Sequence, residues 1–303
     1  MCFIVARQMQ SEAEPVASAE ISAFSRRQAM DWSLVLASQG IEAVIERAPE
    51  RERWILRVSP EQLEQAQQSI RLYRAENRGW LWRKDLPGAD LEIHWGAILF
   101  CVLLAVTHSL STYQMPGLIN VGTMNPAKIL AGEWWRFFTA IFLHGDLAHL
   151  MANVTFGVLV LGLTMGRFGA GLGLLATFLA GAVGNLAGFF FHERPYTGLG
   201  SSGMMMGALG AVAVHGIYLW RLNPKASRYI LSGVGAGILL FVMFGVNPDS
   251  DVVAHFGGFA AGLIFGAALS LAPAKLVRAR ATDQLALIFF VTFSGLVWIL
   301  ALR

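Results

Sequence analysis

The sequence predicts an α-helical polytopic membrane protein with a small α+β domain at its N-terminus. Of its 303 residues, 55% are hydrophobic and only 14% are charged. The charges are unevenly distributed, because residues 1–90 carry 12 of the 23 basic and 13 of the 20 acidic side chains. After residue 90 the chain has seven apolar runs, each long enough to cross roughly 30 Å of hydrocarbon as a helix. The chain therefore divides into a small polar part and a large membrane part.

The polar part is expected to contain three segments. We interpret residues 1–24 as a weakly ordered leader, residues 25–79 as a small αββα cytosolic domain, and residues 80–93 as a linker at the membrane surface. The linker combines tryptophans with basic residues, a composition typical of the membrane interface. The domain carries no chemical motif, so we interpret it as a regulatory or stabilising element.

Local signals predict the elements of this domain. Ser25 is a predicted N-cap of a helix that ends at the next glycine. Alternating apolar residues at 41–45 and 54–58 predict two strands joined by a polar turn. Ser59, followed by proline, predicts the N-cap of a second helix that ends near Gly79.

The seven apolar runs are predicted membrane spans. They cover residues 94–113, 147–165, 169–191, 201–220, 229–247, 252–272 and 284–302. Basic residues occupy alternate loops, and by the positive-inside rule these loops and the N-terminal domain are cytoplasmic. The expected topology has the N-terminus inside and the C-terminus outside. It leaves a long external loop at residues 114–146, whose aromatic side chains predict that it lies half-immersed in the outer leaflet.

Composition argues against several classes of partner and chemistry. The formal net charge is +3, but the basic residues form no continuous patch, so the lipid bilayer is the expected partner and nucleic acid is not. The two cysteines support neither a disulfide framework nor a zinc cluster, and no metal or cofactor is expected. His192 and Glu193 fail the H-E-x-x-H pattern because position 196 is tyrosine, and no span contains an aspartate pair.

Polar residues inside predicted spans are costly and indicate function. His149 and Asn153 are four residues apart and therefore share a helix face. With Ser202 and His255 they lie at the external ends of three spans, which predicts a single site at one level of the membrane. A transporter would instead need a polar pathway through the midplane. His108 and His215 stand alone on apolar stretches and are interpreted as structural.

Small residues recur at three- and four-residue spacing in the fourth and sixth predicted spans. Such stripes let helices approach closely. The glycines are Gly203, Gly207 and Gly210 in the fourth span and Gly258, Gly262 and Gly266 in the sixth. We expect this packing to bring Ser202 and His255 within hydrogen-bonding reach.

These residues permit acyl transfer by a serine whose proton a histidine removes. The Ser202 backbone N–H and the side chains of His149 and Asn153 are candidate oxyanion donors. No span contains a carboxylate that completes a triad, and Asp251 is interpreted as a solvated loop residue. We therefore expect a dyad of Ser202 and His255, with the orientation of the histidine left to packing.

At this point the sequence resembles the rhomboid intramembrane serine proteases over residues 94–272. Four motifs carry the resemblance, and their order and spacing agree with the family. They are the tryptophan-arginine loop motif at Glu133, Trp134, Trp135 and Arg136; H-x4-H-x3-N at His144, His149 and Asn153; G-x-S-G at Gly200, Ser201, Ser202 and Gly203; and A-H-x-x-G-x-x-x-G at Ala254, His255, Gly258 and Gly262.

The resemblance implies a six-helix protease core at residues 94–272, followed at 273–303 by a basic loop and a seventh helix typical of the six-plus-one subclass. It implies that Ser202 is the nucleophile and His255 the general base, with His149 and Asn153 lining the oxyanion hole. Glu133, Trp135 and Arg136 would belong to the loop motif, and His144 would be structural.

Resemblance to this family also implies single-span membrane proteins as substrates, cleaved at or near the outer face of the bilayer. A multi-pass protein of a bacterial inner membrane is expected. One position departs from the family pattern: Met206 stands one turn after the serine, where many active members have an aromatic residue that stacks on the histidine. Methionine can still pack against an imidazole edge.

The alternative from another class is a non-proteolytic rhomboid-like protein that binds membrane clients. Such a protein is expected to lack the serine or the histidine, whereas this chain has both. The physiological substrate, the gating movement and the oligomeric state are left open.

Overall fold

The structure is a computed structural model that describes residues 18–48, 54–77, 92–222, 227–246, 250–277 and 279–303. It separates into two compact units, Met1–Asp90 and Leu91–Arg303. Within the predicted leader and linker, residues 1–17 and 80–91 lie outside the described residues.

Within its described residues, the first unit pairs a three-stranded antiparallel sheet with two α-helices. The sheet order is β1-β3-β2. The elements are β1 (Ala19–Ala23), α1 (Arg26–Ser38), β2 (Val44–Arg47), β3 (Trp54–Val58) and α2 (Leu63–Glu76). Trp32 and Leu36 of α1 pack with Leu56 of β3 and Ile70 of α2, so the apolar faces of the helices close one side of the sheet.

The strand β1 corrects the prediction of a weakly ordered leader for residues 18–24. It pairs with the whole of β3, from Ala19 opposite Val58 to Ala23 opposite Trp54. A five-residue segment of small and polar residues gives little local signal. It is ordered because β3, which is predicted correctly, offers it an edge with unpaired backbone groups.

Helix ends in this unit agree only in part with the sequence prediction. Ser25 does cap α1, because its side chain accepts a hydrogen bond from the Gln28 N–H. Ser59 makes no such side-chain bond, and a 3₁₀ turn, Pro60–Gln62, precedes α2. The strand predicted at residues 41–45 is β2, which begins at Val44, three residues later than predicted.

The second unit is a helical bundle. Its helices are α3 (Gly96–Ser109), α4 (Gly117–Gly122), α5 (Pro126–Leu130), α6 (Arg136–Thr139), α7 (Leu147–Phe168), α8 (Ala170–Phe191), α9 (Ser202–Ala213), α10 (Gly216–Leu222), α11 (Ser227–Gly245), α12 (Val252–Leu271), α13 (Ala274–Val277) and α14 (Arg280–Ala301). A π turn, Leu110–Gln114, extends α3.

Among the described residues, six helical segments are long and apolar enough to cross a membrane. They are Gly96–Gln114, Leu147–Phe168, Ala170–Phe191, Ser202–Trp220, Val252–Leu271 and Arg280–Ala301. The run predicted at 229–247 is also helical, but its apolar part, Ile230–Gly245, is shorter. The predicted fold class, a polytopic α-helical protein with a small α+β region, is confirmed.

The seventh predicted span, α14, attaches to the bundle through a carboxylate. Asp283 Oδ1 accepts hydrogen bonds from the backbone N–H groups of Gly171 (2.8 Å) and Leu172 (3.0 Å). These groups belong to the first turn of α8, which has no side-chain cap of its own. Asp283 therefore acts as an N-cap that another helix supplies. Its negative charge also interacts favourably with the N-terminal end of the α8 dipole.

Replacing Asp283 by alanine is expected to lower the free energy of unfolding by about 1–2 kcal/mol, the usual effect of losing an N-cap. Thermal or denaturant unfolding of the detergent-solubilised protein measures this. Gln284→Ala, at the exposed neighbouring position, is the matched control and should change the free energy by less than about 0.5 kcal/mol. Equal stability of the two variants would show that the cap is not needed.

Candidate active site

Three helices of the bundle begin close to the predicted site residues. Ser202 is the first residue of α9, and His149 and His255 follow the starts of α7 and α12 by two and three residues. Aspartates fix two of these starts. Asp146 accepts from the His149 N–H at 2.7 Å and Asp251 from the Ala254 N–H at 2.8 Å.

The helices that carry Ser202 and His255, α9 and α12, approach as closely as their backbones allow. A Cβ atom on Gly258 would overlap the Gly203 carbonyl, and one on Gly262 would overlap the Gly207 carbonyl. A Cβ on Gly203 would lie 3.4 Å from the Ala254 carbonyl oxygen. The predicted glycine stripes thus face one another, and they hold the residues after Ser202 against the turn that contains His255.

His255 is 3% exposed, and its orientation is set by a backbone group. Its Nδ1 lies 2.8 Å from the carbonyl oxygen of Gly245, the last residue of α11. A carbonyl can only accept, so Nδ1 carries the ring proton and Nε2 of the neutral ring is left as a base. The sequence left this orientation to packing, and the Gly245 carbonyl corrects that expectation. We expected Ser202 and His255 to lie within hydrogen-bonding reach of each other. Among the described contacts no hydrogen bond joins Ser202 Oγ to His255, so this expectation is not met.

Met206 lies beside this acceptor. The side chain is buried, and its sulfur would be 3.4 Å from a Cβ atom added to Gly245. Met206 therefore packs on the end of α11, next to the group that orients His255.

Asp251 is not the solvated loop residue that we expected. Its side chain is 30% exposed, caps α12, and accepts a 2.7 Å hydrogen bond from His192 Nε2. The carboxylate is thus directed to the end of α8 and the start of α12, while the ring of His255 uses the Gly245 carbonyl.

Gly200 lies close to both the His149 ring, a predicted oxyanion donor, and Ser202, the predicted nucleophile. Its φ of +128° is a left-handed conformation, and a Cβ there would lie 2.7 and 2.8 Å from the His149 ring and 3.8 Å from Ser202 Oγ. Asn153, the other predicted donor, uses an amide hydrogen in a 3.0 Å bond to the His149 carbonyl. Its second amide hydrogen remains for an oxyanion.

Arg136 organises the loop that supports the serine. It is 1% exposed, pairs with Glu133 (Nε to Oε2, 2.7 Å), and donates from Nη1 to the carbonyls of Asn120 (3.0 Å) and Thr123 (2.6 Å). Trp135 lies in the same loop, between Glu133 and Arg136 in the sequence.

Backbone hydrogen bonds then join this loop to the segment before Ser202. The Met124 N–H donates to the Gly198 carbonyl at 2.9 Å, and the Gly200 N–H donates to the Ala140 carbonyl at 2.9 Å. These bonds hold the chain on both sides of Leu199, so the loop with the predicted motif supports Ser202 indirectly.

Two contacts near the site were not predicted from the sequence. Ser201 is fully buried, and its Oγ lies 3.2 Å from His144 Nε2. His108, interpreted as an isolated structural residue, is close enough to His144 and His149 to influence both electrostatically. The adjacent serines, Ser201 and Ser202, could have drawn attention to the first contact. His108 is 36 residues from His144, and no local pattern connects the two histidines.

If His149 is an oxyanion donor, as the sequence predicts, replacing Gly200 by alanine is expected to lower kcat for peptide cleavage by about 10²-fold. The new methyl group would displace the His149 ring, and one oxyanion donor is worth at least that factor. Gly132→Ala is the matched control. Gly132 also has a positive φ, +105°, but nothing lies within 4 Å of its Cβ position. If both variants lose activity equally, backbone strain rather than displacement of the ring is responsible.

The predicted site residues lie in the part of the chain that matches a known family. The family model described as the Rhomboid domain matches residues 131–272, which contain all four motifs. The chain is 32% identical over 177 residues to the rhomboid protease GluP of Bacillus subtilis, and 29% identical over 162 residues to RHOMBOID-like protein 5 of Arabidopsis thaliana. It is 27% identical over 188 residues to the rhomboid protease GlpG of Salmonella newport.

These alignments cover 56%, 53% and 62% of this chain and 33%, 52% and 65% of the respective relatives. The chain thus spans between a third and two thirds of each of these proteins. The domain match and the relatives identify it as a rhomboid family protein. With its six apolar helices it is a multi-pass integral membrane protein.

Proposed function

We propose that this protein is an intramembrane serine endopeptidase that cleaves transmembrane protein substrates with Ser202 as nucleophile and His255 as general base. One observation carries the proposal. The turn at Gly200 surrounds a single space with Ser202 Oγ and the His149 ring, next to a buried histidine whose Nδ1 is held by a carbonyl.

The first half of the reaction would be acylation. His255 Nε2 takes the hydroxyl proton as Ser202 Oγ bonds to the scissile carbonyl carbon, and the carbonyl oxygen becomes an oxyanion. The Ser202 N–H, His149 and the free amide hydrogen of Asn153 stabilise this charge. His255 then gives its proton to the leaving amine as the peptide bond breaks. Water, activated by the same histidine, hydrolyses the acyl-enzyme.

The Gly245 carbonyl takes the place that a carboxylate has in a catalytic triad. It keeps the proton on Nδ1 and so leaves Nε2 free to act as the base. Unlike a carboxylate, it carries no charge with which to stabilise the imidazolium that forms during acylation. We therefore expect positioning and the oxyanion donors to supply most of the rate enhancement.

The location of the site supports membrane substrates. The reacting groups lie at the starts of three apolar helical segments that are long enough to span a bilayer, Leu147–Phe168, Ser202–Trp220 and Val252–Leu271. With the N-terminal unit cytoplasmic, as the distribution of basic residues indicates, these starts lie at the outer face. Single-span proteins that unwind near that face are the proposed substrates, and a bacterial inner membrane is the proposed location.

The division of the chain follows from this function. Residues 94–272 form the proposed protease core and residues 273–303 the added basic loop and helix. Residues 25–79 are proposed to regulate or stabilise the core, since their described part carries no chemical motif.

Reconstitution tests the proposal. The full-length protein in liposomes is expected to cleave single-span test substrates near the outer end of their span, with the cut mapped by mass spectrometry. Ser202→Ala protein, reconstituted in parallel, should leave them intact. Cleavage by the Ser202→Ala variant would contradict the assignment. Binding of the substrates without cleavage by the wild type would favour the alternative, a client-binding rhomboid-like protein.

A further inference from the structure

Ser201 and His144 form a buried pair directly beside the oxyanion donors. Ser201 is 0% and His144 1% exposed, and Ser201 Oγ lies 3.2 Å from His144 Nε2. The pair joins two segments that are 57 residues apart in sequence. Ser201 immediately precedes the proposed nucleophile, and His144 follows the loop that Arg136 organises.

The pair encloses the ring of His149 from a second side. The His144 and His149 rings are in edge-to-face contact, with centroids 5.2 Å apart and planes at 68°. A Cβ atom on Gly200 would lie 2.7 Å from the same His149 ring, closer than van der Waals contact allows, so the ring lies against a position that only glycine fits. His149 is therefore held between Gly200 and His144, and both of these are attached to Ser201, one through the chain and the other through a hydrogen bond.

Ser201 is fixed at both its side chain and its backbone. Its carbonyl accepts the Met205 N–H at 3.0 Å as the first hydrogen bond of α9. The peptide plane between Ser201 and Ser202, which carries the Ser202 N–H, therefore has little freedom to turn. An oxyanion donor must be aimed in advance at the place where charge develops.

The charge state of His144 suits this position. Burial and the nearby His149 and His108 lower the pKa of His144 to about 3. A neutral imidazole can hold the Ser201 hydroxyl without placing a second positive charge beside the groups that must receive the oxyanion.

We infer that Ser201 and His144 are positioning residues for the oxyanion site, which hold the His149 ring and the Ser202 N–H in their catalytic arrangement. This inference rests on the proposed function, because it assigns the pair a role in that reaction. The family motif specifies only the second serine of the doubled pair, so a role for Ser201 is particular to what this chain has at the variable position.

The test is a double-mutant cycle on cleavage of a reconstituted single-span substrate. Ser201→Ala should lower kcat about tenfold with KM unchanged, as for an interaction made only in the transition state. Ser201→Cys, which keeps a weak donor, should lie between Ser201→Ala and the wild type. In a His149→Ala background, Ser201→Ala should cause a further loss clearly smaller than about tenfold, because one of the two groups that it positions is gone and only the Ser202 N–H remains.

A purely structural role predicts otherwise. The losses from Ser201→Ala and His149→Ala would then multiply, and they would follow the fraction of folded protein in a thermal unfolding measurement. Ser294→Ala is the matched control, since this buried hydroxyl of α14 has no hydrogen-bond partner in the described part of the chain. It should leave kcat unchanged.

The possible results are separable. Wild-type kcat in Ser201→Ala, or multiplicative losses with His149→Ala, would overturn the positioning role while leaving Ser202 as nucleophile. Cleavage that persists in Ser202→Ala would overturn the proposed function itself.

Discussion

Replacing His255 by alanine is expected to lower kcat by about 10⁴- to 10⁶-fold, the range seen when a serine nucleophile loses its base. Ser202→Ala should lose a similar factor, and the double variant should lose no more than either single one. The reason is that the two groups act as one unit: without Nε2 the hydroxyl keeps its proton, and without the hydroxyl Nε2 has no proton to take. Steady-state cleavage of one single-span substrate measures all three variants.

His94→Ala provides the control for this series. His94 is a partly buried histidine at the start of α3, where its Nδ1 accepts from the Gly96 N–H at 3.0 Å. Its loss should leave kcat within about twofold. Independent, multiplying losses at Ser202 and His255 would show that the two side chains do not work as a dyad.

Replacing Arg136 by methionine is expected to lower the free energy of unfolding by about 2–4 kcal/mol, because each buried polar group that loses its hydrogen-bond donor costs about 1–3 kcal/mol. The substitution leaves the carbonyls of Asn120 and Thr123 without their buried donor, and it leaves the Glu133 carboxylate, whose side chain is 32% exposed, without its partner. Because this loop is bonded to the segment around Gly198 and Gly200, activity should fall as well.

Arg57→Met is the matched contrast. Arg57, like Arg136, forms ion pairs, in this case with Glu20 and Glu46, but its side chain is 40% exposed. Exposed ion pairs contribute about 0–1 kcal/mol, so this variant should unfold almost as the wild type does. Denaturant unfolding in one detergent compares the two. Similar losses for both arginines would contradict the structural role given to Arg136.

The parts of the fold that could be predicted are those with local signals. The length of each apolar run identifies the helices of the bundle, and Ser25 marks the start of α1 correctly. The glycine stripes predicted the close contact of α9 and α12, because a residue without a side chain lets a neighbouring helix approach closely.

Elements that depend on a distant partner were missed. Strand β1 exists because β3 offers an edge 35 residues later in the chain, and its own residues have little strand preference. The same holds for Asp283, whose carboxylate caps a helix that begins more than 100 residues earlier. An acidic residue in the first turn of α14 looks like a cap for its own helix.

The candidate site divides in the same way. Ser202, His149 and His255 could be selected as candidates from the sequence, because polar groups inside membrane spans are costly and therefore indicate function. The acceptor for His255 could not, because a backbone carbonyl such as that of Gly245 has no residue type to recognise. Asp251 was at best a weak candidate from spacing alone, and its pairing with His192 depends on where α8 ends.

The most direct test of the central claim is covalent labelling with a fluorophosphonate probe, which requires an activated serine and no knowledge of the substrate. Detergent-solubilised wild-type protein is predicted to label, with the adduct mapped by mass spectrometry to Ser202, and His255→Ala and Ser202→Ala are predicted not to label. Labelling that persists in Ser202→Ala, or an adduct on Ser201, would contradict the account.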